Sequence, residues 1–305
     1  MDTVRIGCVQ YLNTLPLIEG LRTWRDVEVV TAVPSRLAGM LIGGDVDVAL
    51  ASVIDAATAE GSGGPGVVLL PVGMIGCDGP TLTVRLFSMR PIETLEEIGV
   101  DTDSHTSVAL LQVLMHKIHG RRVRVVSFDA GEHLVVGPGA HRADPSGDGG
   151  GVQRPAGDRR GTQGGEARQS WPDAVLLIGD KVVTDAPPAE RYPYQMDLGA
   201  AWKSLTGLPF VYAAWMCRGG TEGSVAVRAA AMMLDRARRH NATRLDWIVA
   251  SRAGEKHWPA DLARRYVGEY LHYGVGEAEK EAVAKFVRFA GELGLCGHAE
   301  PRWAE

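Results

Sequence analysis

Apolar residues in the first fifty positions fall into short runs divided by turn-forming residues. Val4 to Val9, Val27 to Ala32 and Val46 to Ala51 have the length and apolar continuity of buried strands. Between them, Pro16 to Trp24 and Ser35 to Ile42 carry apolar residues at helical spacing. Pro34-Ser35 suits a helix start, and Gly43-Gly44-Asp45 suits its end and the turn into the next strand. Strands alternating with helices predict a parallel sheet with covering helices.

Further along, a strand is expected from Val67 to Pro71, leading through Met74-Ile75-Gly76-Cys77-Asp78-Gly79-Pro80 to an extended crossover at Leu82 to Phe87. Val100-Asp101 ends another strand. The hydroxyl-rich stretch Ser104-His105-Thr106-Ser107 then opens a helix from Val108 to Ile118. Asp173 to Asp180 reads as a buried strand and turn, and Phe210 to Cys217 as a return strand after Gly207-Leu208-Pro209. The remainder is helical, near Val225 to His240, Arg244 to Ala253, Asp261 to Tyr270 and Glu277 to Leu293. The Met232-Met233 pair is assigned to an apolar helix face. From about Gly137 to Ser170 the chain is Gly, Arg, Asp, Pro, Ser and Gln with few large apolar side chains. Burial there cannot offset the entropy of ordering, so a flexible surface insertion is expected.

With 305 residues, 45% of them hydrophobic, the chain can bury a substantial core. A net charge of -5, with basic and acidic residues interspersed, offers no surface for a phosphate backbone, so nucleic acid is not expected as a partner. Cys8, Cys77, Cys217 and Cys296 lack metal or redox spacing and are expected as isolated thiols. His116 and His119 share a helix face without a third ligand in view, and no zinc-hydrolase or phosphate-loop motif is present. The chain enters directly into its first strand without an export signal, and no apolar run reaches the length of a membrane span. A cytoplasmic protein that does not associate with membranes is expected.

Two polar constellations stand at the ends of predicted strands, where open parallel sheets hold ligands. Asn13, in the loop after the first strand, either contacts a ligand through its amide or caps the next helix. Ser104, Thr106 and Ser107 gather hydroxyls and free peptide N-H groups at a helix start, a setting that caps the helix, binds an anion, or does both. Ser52 and Thr83 follow or lie in strands and either face a cleft or serve structure alone.

The blocks Tyr11-Leu12-Asn13-Thr14-Leu15-Pro16-Leu17, Asp78-Gly79-Pro80, Arg85-Leu86-Phe87-Ser88 and Asp101-Thr102-Asp103-Ser104-His105-Thr106-Ser107 resemble the chorismate dehydratase family of the futalosine route to menaquinone. Ile178-Gly179-Asp180 and the run from Asp197 to Val211 look like later signatures of that family. The likeness spans the chain outside the 137–170 segment. It implies an α/β fold, the two-lobed periplasmic-binding-protein-like type II fold with two crossover strands and a C-terminal helical segment. The lobes expected are 1–88 with 205–305, and 89–204.

The activity implied is loss of water from chorismate, a small dianionic substrate, without any cofactor. Asn13 and Thr83 are implied at the reaction site, with Ser104, Thr106 and Ser107 holding a carboxylate. Relatives usually carry serine where Thr83 stands. No histidine or glutamate in the matching blocks is an evident base, so the substrate's enolpyruvyl carboxylate is the expected proton acceptor. Two alternatives remain: a non-catalytic small-anion-binding protein, and a 1,4-dihydroxy-6-naphthoate synthase-like enzyme.

Overall fold

The chain begins with β1 (Val4–Cys8), α1 (Leu15–Ile18), β2 (Val27–Thr31), α2 (Pro34–Gly43), β3 (Val48–Ser52), α3 (Asp55–Glu60) and β4 (Val67–Cys77). It continues through β5 (Val84–Ser88), β6 (Glu97–Val100), α4 (His105–His119), β7 (Arg124–Ser127), β8 (Ala174–Ile178), α5 (Lys181–Thr184), β9 (Tyr194–Asp197) and α6 (Leu198–Thr206). Then come β10 (Phe210–Arg218), α7 (Val225–Ala242), α8 (Leu245–Arg252), α9 (Ala260–Arg265), β11 (Leu271–His272) and α10 (Glu277–Glu292). The structure is a computed structural model that describes residues 3–60, 66–128 and 171–305. The insertion expected at 137–170 lies outside the described residues.

Two sheets result. A six-stranded sheet has the order β11-β4-β10-β3-β1-β2, and a five-stranded sheet has the order β7-β6-β8-β5-β9. β1 is parallel to β2 and β3, while β10 returns antiparallel between β3 and β4. In the second sheet, β6 is parallel to β7 and β8, and β5 is antiparallel to β8 and β9. The chain therefore passes between the sheets twice, after β4 and before β10. The expected boundary at residue 88 is too late for the sheet pairing. β5 hydrogen-bonds β8 and β9 and belongs wholly to the second sheet, so the passage is the short segment Asp78 to Thr83.

Period-two burial explains the layers. Ala49 and Ala51 of β3, with Ala214 and Met216 of β10, enter a core that continues into the second sheet through Leu86, Ile98 and Leu176. Their neighbours Val48, Leu50, Trp215 and Cys217 face the opposite side, under Leu234 and Ala237 of α7. Val175 and Leu177 of β8 likewise point away from the shared core, toward Phe87 and Tyr192. Of the methionine pair, Met233 packs against the core but Met232 is 69% exposed. Adjacent helical residues diverge by about 100°, so an amphipathic helix buries one of them.

Two elements differ from the expected pattern for identifiable reasons. The helix expected from Pro16 to Trp24 stops at Ile18 because Glu19 is extended and Gly20 sits at φ 87°. Only a single tight turn, Leu21–Thr23, follows. β4 runs past Pro71 to Cys77. Its pairing with β10 jumps from Leu69–Met216 to Met74–Ala214, so proline, which has no N-H to donate, lies in a bulge.

Candidate active site

The cleft between the sheets is walled by residues from widely separated segments. Tyr11, Asn13, Ser52, Thr83, Ser104 and Ser107 all line it, with Thr81, Gly179, Tyr212 and Tyr266. The walls enclose about 610 Å³ of empty space, part of it open to solvent.

Asn13 lies in the loop after β1. The Thr14 hydroxyl pins this loop by donating to the carbonyls of Tyr11 (2.7 Å) and Val9 (3.1 Å). Asn13 caps neither the short turn Leu12–Thr14 nor α1, since neither has a side-chain cap. Of the two roles open to it from sequence, the structure removes capping. Its Oδ1 atom is buried without a hydrogen-bond partner.

At the start of α4 both expected roles coexist. The Ser104 hydroxyl accepts the Ser107 N-H (3.4 Å) and lies 3.1 Å from the Ser107 hydroxyl, and both side chains line the cleft. Thr106 corrects the expectation. Its hydroxyl accepts the Ile54 N-H at 3.3 Å, its side chain is fully buried, and it does not line the cleft. Ser104 and Ser107, three apart, share a helix face, whereas Thr106 is offset by about 200° from Ser104 and points at the first lobe.

Thr83 follows a strained passage. Leu82 has φ 69°, in the left-handed region that side chains with a Cβ disfavour. The Asp197 carboxylate holds this turn by accepting the N-H groups of Thr81 (2.9 Å) and Leu82 (2.8 Å). It also caps α6 through Ala200 (3.0 Å). Gly199 fits beneath because it has no side chain: a Cβ there would lie 2.6 Å from the Gly79 carbonyl oxygen and from Cys77 Sγ. The Thr83 hydroxyl is 2.6 Å from the Tyr266 hydroxyl.

Contacts between the lobes close over this cleft. The Trp258 indole N-H donates to Asp180 Oδ1 (2.9 Å), Ser35 N-H to the Asp103 carbonyl (3.1 Å), and His105 Nδ1 meets Asp55 Oδ1 at 2.8 Å. Lys181, whose charge bears on Tyr11, is held by Asp101 (2.6 Å) and Asp103 (3.3 Å) and does not line the cleft. Burial, and then the charge of Asp103, push the Tyr11 phenol up to about 12. Burial raises Tyr266 and Tyr212 well above the ordinary phenol value, so all three stay protonated at neutral pH.

Sequence reasoning missed Thr81, Tyr11, Tyr212 and Tyr266. Tyr11 stood inside a quoted block and Thr81 directly after one. Tyr212 and Tyr266 looked like core aromatics of a strand and a helix, and no local signal separates them from that. The four cysteines are unpaired, as their spacing predicts. No helix of the described residues is long and apolar enough to cross a membrane.

The sequence model of a family described as menaquinone biosynthesis matches residues 4–136 and 160–292. A chorismate dehydratase of Thermus thermophilus is 26% identical over 300 residues, covering 94% of each chain. Among solved structures, the periplasmic aliphatic sulphonate binding protein of Escherichia coli superposes with a TM-score of 0.61. It is 14% identical, and the match covers 100% of this chain and 94% of that one. A protein of Archaeoglobus fulgidus gives a TM-score of 0.58 at 14% identity, over 96% of this chain and 98% of that one. These likenesses establish a two-lobed, periplasmic-binding-protein-like type II fold, with the cleft between the lobes.

Proposed function

Since the chain belongs to the menaquinone biosynthesis family, we propose that it is a chorismate dehydratase, a hydro-lyase forming 3-[(1-carboxyvinyl)oxy]benzoate and water. The observation that carries this is the meeting of Asn13, Thr83, Ser104 and Ser107 in one cleft, although up to about a hundred positions separate them in sequence. The similarity to the Thermus dehydratase over nearly the whole chain supports the same assignment.

The chemistry suits such a lining. The C3–H bond of the ring supplies its electron pair to a new ring double bond, the C4–O pair leaves with the hydroxyl oxygen, and the ring becomes aromatic. No electrons enter or leave, so the step calls for orientation and stabilisation of charge. The first turn of α4, with the Ser104 and Ser107 hydroxyls, holds one carboxylate. Ser52 supplies a further hydroxyl from the end of β3. Thr83 donates to the departing oxygen and Asn13 orients the ring substituents. The enolpyruvyl carboxylate of the substrate takes the C3 proton, and the charge it had is returned as the hydroxyl leaves with a proton. The step belongs to the futalosine route and to the cytoplasm.

Incubation of the purified protein with chorismate, followed by absorbance and mass of the product, tests the assignment. A new aromatic acid lighter by one water is expected. Binding without turnover would assign the cleft to anion capture, and inertness toward chorismate would favour the naphthoate-forming enzyme. Thr83→Ser is expected to keep or raise kcat, because serine preserves the hydroxyl and frees the space of a methyl in a side chain only 2% exposed. A tenfold loss in steady-state kcat would show that the methyl packs the site.

A further inference from the structure

Tyr266 belongs to the C-terminal helical segment, where α9 passes into a wider turn over Tyr266–Tyr270, far in sequence from every block that carries the family likeness. Its ring is 1% exposed and stacks on Trp258 at 4.9 Å with the planes inclined by 14°. Trp258 is itself fixed by its bond to Asp180 of the other lobe (2.9 Å). The phenol is thus held rigidly, and its oxygen lies 2.6 Å from Thr83 Oγ1 at the cleft wall.

The contact can run in either direction, since each hydroxyl carries one hydrogen and can accept another. The two directions differ in what they present to the cleft. A threonine hydroxyl that accepts this bond keeps its own hydrogen free, and the open side is the cleft. Reversed, Thr83 would spend its hydrogen on the phenol and show the cleft only lone pairs.

We propose that Tyr266 is a positioning residue which, by donating to Thr83, turns the Thr83 O-H toward the departing hydroxyl of the substrate. No proton leaves Tyr266. It sets the rotor of its neighbour, which alone meets the reacting atoms. This role rests on the dehydratase assignment above.

The test compares wild type, Tyr266→Phe, Thr83→Val and the double variant, all as the full chain, with chorismate as substrate. Tyr266→Phe keeps the ring and its stack on Trp258. Its kcat is expected to fall about tenfold to a hundredfold, less than the loss of a donor that touches the reacting atoms, with KM within about twofold. The double variant should be no slower than Thr83→Val within about twofold, because the phenol acts only through that hydroxyl. The role is overturned if an active wild type is matched by Tyr266→Phe, if the two losses multiply, or if the change lies in KM alone. A wild type inert toward chorismate instead overturns the functional assignment and removes this role with it, a distinct result. Should Tyr266→Phe fail to fold, 3,5-difluorotyrosine at position 266 retains ring and hydroxyl while altering the strength of donation. A changed kcat at constant KM then supports the role, and an unchanged kcat overturns it.

Discussion

Asn13→Ala is expected to lower kcat for chorismate by about 10²–10³-fold while moving the melting temperature by no more than a few degrees. Those two outcomes separate because the side chain holds nothing else in place. It caps no helix, and the loop that carries it is fixed by Thr14 through two carbonyls. Loss of an ordinary hydrogen bond costs about 1 kcal/mol of stability, whereas loss of a group that orients the substrate, misplacing the reacting atoms by about 1 Å, costs on the order of a hundredfold in rate. Steady-state kinetics and thermal unfolding on one preparation check this. A fall in melting temperature large enough to account for the lost activity would return Asn13 to a structural role.

Asp197→Ala is expected to be the most destabilising single change near the site. One carboxylate, 9% exposed, accepts the N-H groups of Thr81, Leu82 and Ala200 and lies 3.5 Å from Arg85. Its removal strands these donors and leaves the arginine without its counter-charge. Breaking a buried arrangement of that kind costs about 3–5 kcal/mol, or roughly 6–15 °C in melting temperature for a chain of this size. Activity should fall as well, even where the protein remains folded, because the turn at Leu82 relaxes and takes Thr83 with it. Asp197→Asn, which keeps an acceptor oxygen, should fall between. If Asp197→Ala melts within about 2 °C of wild type, the carboxylate does not anchor the passage between the lobes.

Most of the strands were legible because their apolar runs are short and interrupted by turn residues. β1, β3, β8 and β10 appear within a few residues of where pattern puts them. β9 was missed. Tyr194–Asp197 is half polar and lies at the sheet edge, so burial leaves little imprint on it. α6 stood in plain view as Asp197 capping an apolar run, but it was noticed as a family block instead of as an element. The site was legible wherever a polar residue interrupts apolar surroundings at a strand end, as Asn13 and Ser52 do. It was illegible at Tyr212 and Tyr266, because an aromatic side chain in a core element gives the same pattern whether or not its hydroxyl reaches a cavity. Thr106 is the instructive error. The family likeness implied it at the site together with Ser104 and Ser107, while helix geometry turns its side chain toward Ile54 instead.

None of the described residues lining the cleft carries a formal charge. A dianion entering it exchanges water for dipoles, without a guanidinium or ammonium to quench it. An acid group treated this way grips a proton more tightly than it does in bulk solvent, since its charged form has lost the better-solvated surroundings. On the mechanism proposed above, the enolpyruvyl carboxylate, a feeble base in a beaker, would become a stronger one on binding. An arginine placed in the wall to tighten affinity would undo that gain, and this gives a chemical reason for a wall built of hydroxyls and an amide.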